Sequence, residues 1–174
     1  MRVKTVVDED FTNYREPAML IGTISCGGKC CIEAGLPLSV CQNDGWRANA
    51  PITMDDKQLC FRYLANPITK AIVLGGLEPF EQFDELLSFL NVLRGFFQCN
   101  DDVVIYTGYY PKEIKWQLRR LSRYENIVVK FGRYIPNRKH RYDEVLGVEL
   151  ASDNQYAVRL DQHEERRNAN ENYS

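Results

Sequence analysis

Ala18-Met19-Leu20-Ile21-Gly22-Thr23-Ile24-Ser25-Cys26-Gly27-Gly28-Lys29-Cys30-Cys31 joins an unbroken apolar run to a glycine-containing loop of thiols. The run over 18–24 predicts a buried strand, because it is short, apolar on successive residues and ends at turn-forming positions. The loop continues to Val40-Cys41-Gln42-Asn43-Asp44, so four of the six cysteines, at 26, 30, 31 and 41, fall between Ser25 and Asp44. A strand that delivers several thiols into one loop predicts a metal site at the strand's C-terminal end.

The same strand pattern recurs downstream. Ala71-Ile72-Val73-Leu74 runs into Gly75-Gly76, Asp102-Val103-Val104-Ile105-Tyr106 into Thr107-Gly108, and 126–131 into Gly132. Helical patterns separate these runs. One spans 54–65, with Thr53 as its cap and Leu59, Phe61, Tyr63 and Leu64 apolar, and Asn66-Pro67 ends it. The clearest spans 81–96, where Phe83, Leu86, Leu87, Leu90 and Leu93 or Arg94 keep the spacing of one buried face. A third opens at Pro111 and runs to 123 with Ile114, Leu118 and Leu121 inward. Val3, Val6 and Val7 suggest a short edge strand, and 44–53 reads as irregular. Beyond Gly132 come a basic loop over 134–141 and two short strands within 145–160.

Apolar strands alternating with helices predict an α/β fold with a mainly parallel sheet and right-handed crossovers. A closed eight-unit barrel needs roughly 200 residues or more, so a partial, open β/α barrel is expected of these 174 residues. It would form one domain over 1–160, followed by a polar tail over 161–174 expected to be disordered. Chemistry in parallel α/β sheets gathers at the strands' C-terminal ends. The cysteine loop, Gly75-Gly76 and Thr107-Gly108 should therefore converge on one rim. There is no internal repeat.

The net charge of −2 gives no basic footprint for nucleic acid. Met1-Arg2-Val3-Lys4 does not open a signal peptide, and no stretch reaches the roughly 18 apolar residues of a membrane helix. A cytoplasmic protein is expected. Thiols there stay reduced, so clustered cysteines point to metal or redox chemistry rather than to disulfides. Cys60 and Cys99 lie apart from the loop and read as small buried hydrophobes.

Iron–sulfur clusters are held by cysteine thiolates, four in the ordinary four-iron case. With three protein ligands, one iron stays open to a substrate. Cys30 and Cys31 are adjacent and should point apart, so three ligands and a spare fit at least as well as four. Structural zinc is the competing reading, but such sites usually show two short cysteine pairs, and the chain has no second pair.

These residues resemble the radical S-adenosylmethionine (SAM) family, and within it the activating proteins of anaerobic ribonucleotide reductase. Cys26-Gly27-Gly28-Lys29-Cys30 reproduces the first half of C-x3-C-x2-C, and Val40-Cys41-Gln42-Asn43 is similar to its ending. The chain departs from the pattern by setting residues 31–40 between the second and third cysteines, which leaves Cys30 and Cys31 as alternatives. Gly75-Gly76-Leu77-Glu78-Pro79 resembles the Gly-Gly-Glu-Pro turn, with Leu77 extra. Ile105-Tyr106-Thr107-Gly108-Tyr109, continued by Lys112-Glu113-Ile114, is similar to a Trp-Thr-Gly-Tyr strand end. Phe131-Gly132-Arg133-Tyr134-Ile135-Pro136 looks like Asp-Gly-Arg-Phe without its Asp, and Gly147 with Ser152-Asp153-Asn154-Gln155 like Gly-Ser-Ser-Asn-Gln. The resemblance spans about 18–157 and keeps the motifs in order.

The resemblance implies that Cys26, Cys30 (or Cys31) and Cys41 hold a [4Fe–4S] cluster whose open iron binds SAM. One electron then cleaves SAM to methionine and a 5′-deoxyadenosyl radical, which takes a hydrogen from a glycine of the reductase. It further implies that Glu78 or the Gly75-Gly76 backbone meets the SAM ammonium, and that Thr107 and Asn154 approach the nucleoside. The implied partners are the reductase, or another protein substrate, and a low-potential donor such as flavodoxin or ferredoxin. A radical SAM enzyme with another substrate and a non-catalytic iron–sulfur or zinc module are the alternatives. His140 and His163 show no evident partner, and Arg133, Arg138, Lys139 and Arg141 read as a solvated basic run or a partner-facing one.

Overall fold

The structure, a computed structural model, describes residues 1–41 and 43–160. The expected disorder of the tail and the reading of His163 lie outside the described residues.

The opening run forms β3 (Ala18–Gly22), with all five residues buried. β1 (Arg2–Val3) and β2 (Thr5–Asp10) precede it. The cysteine loop carries a single helical turn, α1 (Lys29–Glu33), and a 3₁₀ turn at Leu38–Val40. The stretch expected to be irregular holds α2 (Asp44–Ala48) and β4 (Ile52–Thr53), which pairs with β1. α3 (Asp56–Leu64) is capped by Asp55 rather than Thr53, because the Asp55 carboxylate accepts from the N–H groups of Lys57 and Gln58.

β5 (Ala71–Gly75) leads through a 3₁₀ turn at Pro79–Gln82 into α4 (Phe83–Asn91), which continues as a π-helical turn at Val92–Phe96. Leu93 takes the buried place left open between it and Arg94. β6 (Asp102–Tyr106), a 3₁₀ turn at Pro111–Glu113, α5 (Lys115–Leu121) and β7 (Ile127–Phe131) follow. β8 (Arg141–Asp143) and β9 (Val148–Leu150) form a hairpin before β10 (Tyr156–Leu160).

The central sheet has the order β10-β7-β6-β5-β3-β2. β3, β5, β6 and β7 are parallel neighbours, and the two antiparallel strands, β2 and β10, make the sheet mixed and leave it open. Alternation along the strands sorts side chains into two faces. Met19, Ile72, Val103 and Ile127 lie in register on the face that meets α3, α4 and α5, in the larger core. Leu20, Val73, Val104 and Val128 form the row behind, which Tyr14, Leu146 and Leu150 cover without any of these helices. Each such side chain contributes roughly 1.5–3 kcal/mol through burial, so both rows had to be apolar. That requirement produced the uninterrupted runs. At the β2 edge, exposed Asp8 and Glu9 oppose pairing with another strand.

Candidate metal centre

The chain leaves β3 at the C-terminal rim of the parallel strands, and the β5–α4 turn tethers it there. Glu78 N–H donates to the Ser25 carbonyl at 2.7 Å, and Gln82 Oε1 accepts from Ile24 N–H at 2.7 Å. The Glu81 carboxylate accepts from the Ser25 hydroxyl and from Gly27 N–H, both at 2.6 Å. Gly28, at φ +73°, turns the chain into α1. An ion network clamps α1 from outside. Arg133 gives Glu113 a bidentate pair at 2.9 and 2.6 Å and reaches Glu33 through Nε at 2.8 Å, while Lys29 pairs with Glu113 as well. Arg133 is buried, so it does not belong to a solvated run. Those contacts hold the Glu113 carboxyl down at about 2, the Arg133 hydrogen bonds foremost.

The thiols are neighbours on this rim. Cys30 feels the charge of Cys26 and accepts from the backbone N–H of Tyr134. Cys31 is buried, next to Cys41 and within range of Cys26. Burial pushes the thiols of Cys26, Cys30 and Cys31 up. Gly28 N–H donates to Cys26 Sγ at 3.3 Å. Gly108, just past β6, has no room for a side chain: a Cβ there would lie 2.8 Å from Cys30 Sγ. Cys26, Lys29, Cys30, Glu78, Glu81, Gly108 and Tyr109 line a shallow, open cleft.

Glu78 and Thr107 are brought to each other. The Glu78 carboxylate is buried and accepts from the Thr107 hydroxyl at 2.8 Å, Gly108 N–H at 2.9 Å and Phe80 N–H at 3.2 Å. Burial nevertheless outweighs these donors and pushes its carboxyl up to about 7. Gly76, at φ +79°, lies beneath the Trp46 indole, where a Cβ would come within 1.8 Å of the ring; Gly22 adjoins the same ring, and Gly75 faces Tyr106. Asn154 donates to the Arg133 carbonyl at 2.8 Å and to Tyr110 OH at 3.2 Å, and its Oδ1 is buried with no hydrogen-bond partner.

The sequence reading missed Lys130, Trp46 and Arg47. Lys130 was detectable as the one charge within the apolar strand 127–131. Buried on β7, it donates to the Gly132 carbonyl at 3.1 Å and faces the Tyr106 ring; burial brings its ammonium down to about 8, against the attraction of Cys30 and Glu78. Trp46 and Arg47 left no signal, because their roles depend on how α2 sits. His140 does have a partner, Glu149 Oε1 at 2.6 Å.

Among the described residues, no three His, Cys, Asp or Glu side chains converge to hold a single metal ion. A cluster asks for something else, since each thiolate meets a different iron and the sulfurs need not share one point. The donor set fits one: four neighbouring thiols, two of them (Cys26 and Cys41) beside the Arg47 guanidinium, whose buried Nε and Nη2 meet no acceptor in hydrogen-bond geometry. Among the described residues no helix is long and apolar enough to cross a membrane.

Comparison with known proteins agrees with a cluster. No curated protein and no solved structure matches the chain. A family model does, over residues 37–156, a span that holds Cys41 and the rim turns at 75–79 and 107–109 but begins beyond Cys26, Cys30 and Cys31. The matched model is described as a 4Fe-4S single cluster domain; it covers more than half of the chain, which therefore belongs to that iron–sulfur family.

Proposed function

We propose that the protein is a radical SAM activase that installs a glycyl radical on a partner, an anaerobic ribonucleotide reductase. One observation carries the reading: the cysteine loop leaves β3 at the same rim where β5 and β6 deliver Glu78 and Gly108 against Cys30. The sheet favours it too. Its parallel strands follow chain order without the reversal of a doubly wound sheet, and their helices share one face, as in an open segment of a β/α barrel.

In this reading Cys26, Cys30 and Cys41 hold three irons, with Cys31 as the alternative to Cys30. When bound, the cluster and SAM supply the electron and the radical. The chain's own residues bind, orient and exclude water. The cleft between Cys26, Cys30, Glu78 and Gly108 is where the methionine end of SAM would sit. There Glu78, half-protonated near neutrality, would become fully ionised against the SAM ammonium, with the Gly75-Gly76 backbone alongside. Thr107 orients Glu78, and the unpartnered Oδ1 of Asn154 is an acceptor for a ribose hydroxyl. A low-potential flavodoxin or ferredoxin in a reducing cytoplasm completes the system.

Trp46 over Gly76 favours a second reading, a cluster protein that takes no SAM. Anaerobic reconstitution decides between them. Four irons per chain, 5′-deoxyadenosine released on reduction with SAM, and a glycyl radical signal on mixing with the reductase are expected. A loaded chain that never cleaves SAM supports the second reading; tightly bound zinc without iron sinks both.

A further inference from the structure

Arg47 has no role in the site as assigned so far, yet it sits inside it. Its Nη1 donates to the Cys26 carbonyl at 2.6 Å. Nε and Nη2 are buried without an acceptor, and the Asp44 carboxylate stands 3.6 Å from Nε, outside hydrogen-bond reach. The Cys26 and Cys41 sulfurs neighbour the guanidinium without meeting hydrogen-bond geometry at these two nitrogens. The side chain is no free surface arm. Lys4 Nζ holds the Arg47 carbonyl at 3.0 Å, and the neighbouring Trp46 is seated on Gly22 and Gly76.

Buried donors left unmet are costly, and a guanidinium offers them in a fixed fork that suits anionic acceptors. The sulfurs of Cys26, Cys31 and Cys41 neighbour that fork. We propose that Arg47 donates to the sulfur atoms of the bound cluster and raises its reduction potential. Net charge and hydrogen bonds to the sulfurs set the potential of such clusters. One-electron reduction adds one negative charge and transfers no atom, so a fixed neighbouring cation stabilises the reduced form more than the oxidised one. The inference rests on the thiol loop being the cluster site.

The test uses the full chain, reconstituted anaerobically, as wild type, Arg47→Gln and Arg47→Lys. Iron content is counted, and the reduced fraction is followed by electron paramagnetic resonance during titration with dithionite. At the wild-type midpoint, Arg47→Gln should hold four irons with a reduced-to-oxidised ratio at least tenfold lower, which is 59 mV for one electron. Arg47→Lys should recover most of that ratio. Iron lost from Arg47→Gln but restored in Arg47→Lys, at unchanged melting temperature, also supports the role. A full iron complement with an unchanged ratio overturns it, as does iron loss in both variants with lowered melting temperature, which marks a structural role only. A wild type that takes up no iron overturns the cluster reading itself, whereas a loaded wild type matched by Arg47→Gln overturns Arg47 alone.

Discussion

Glu78 shows how one side chain can report on the rim. Its carboxyl stands at about 7 because burial disfavours the charge more than three donors favour it. The folded state therefore binds a proton that the unfolded chain releases near its ordinary value of 4.5. Its contribution to stability is complete below that value and is lost as pH rises through about 7. The loss amounts to about 3 kcal/mol at the alkaline end. Urea unfolding of the iron-free protein from pH 5 to 8 should show this fall, and Glu78→Gln should flatten it while losing the bond to Gly108 N–H. An equal slope in both proteins would sink the account. The cysteines separate by direction. Cys41→Ala should abolish iron retention and SAM cleavage, whereas Cys31→Ala should leave both, since adjacent Cys30 faces the pocket with Cys26. Full activity in Cys41→Ala refutes that assignment.

The clamp on α1 belongs to the scale of elements. Lys29 and Glu33 lie on a five-residue helix too short to hold itself, and Glu113 and Arg133 fasten it from the segments that follow β6 and β7. Removing Glu113 leaves Arg133 buried beside Glu33 alone. With Glu113 itself largely solvated, screening limits the cost to about 1 kcal/mol. Glu113→Ala should therefore barely move the melting temperature yet speed proteolysis within 25–41, and unchanged cleavage there would count against the clamp. Its carboxyl, held near 2, contributes stability above about 4.5 that is lost as pH falls toward 2, opposite in sign to Glu78. The parallel strands were legible because each is apolar on both faces, and α4 because five positions repeat on one stripe. β10 and the β8–β9 hairpin were only faintly so, since an edge strand buries one face and its polar residues look like loop. The thiols and Glu78 were visible by residue type. Lys130 showed only as the one charge in its strand and Arg133 as part of a basic run, while Arg47 left no trace, because long-range pairing leaves no local pattern.

For the whole molecule, the decisive feature is which face of the sheet the rim chemistry shares. α3, α4 and α5 take one face, and Trp46 of α2 and Tyr106 pack against the other, beside the strand ends that would receive SAM. Gly76 needs both its positive φ and its missing side chain to accommodate the Trp46 ring. Gly76→Ala should thus cost about 2–4 kcal/mol, backbone strain and overpacking together. Adding Trp46→Ala should return only the overpacking share, since the strain at φ +79° remains. The same contact makes the indole a reporter of admission. If the SAM ammonium is to meet the Gly75-Gly76 backbone, the ring must turn off Gly76, and α2 with it. The chain has two tryptophans, and Trp116 lies exposed on α5, so Trp116→Phe leaves Trp46 as the sole tryptophan, read by excitation selective for indole. Added to that reconstituted variant, SAM should shift Trp46 emission to the red and raise its quenching by iodide, as the ring passes from a half-buried seat to water. A spectrum unmoved at saturating SAM, in a chain that still cleaves SAM, would mean that Trp46 stays on Gly76 and the methionine end binds elsewhere on the rim.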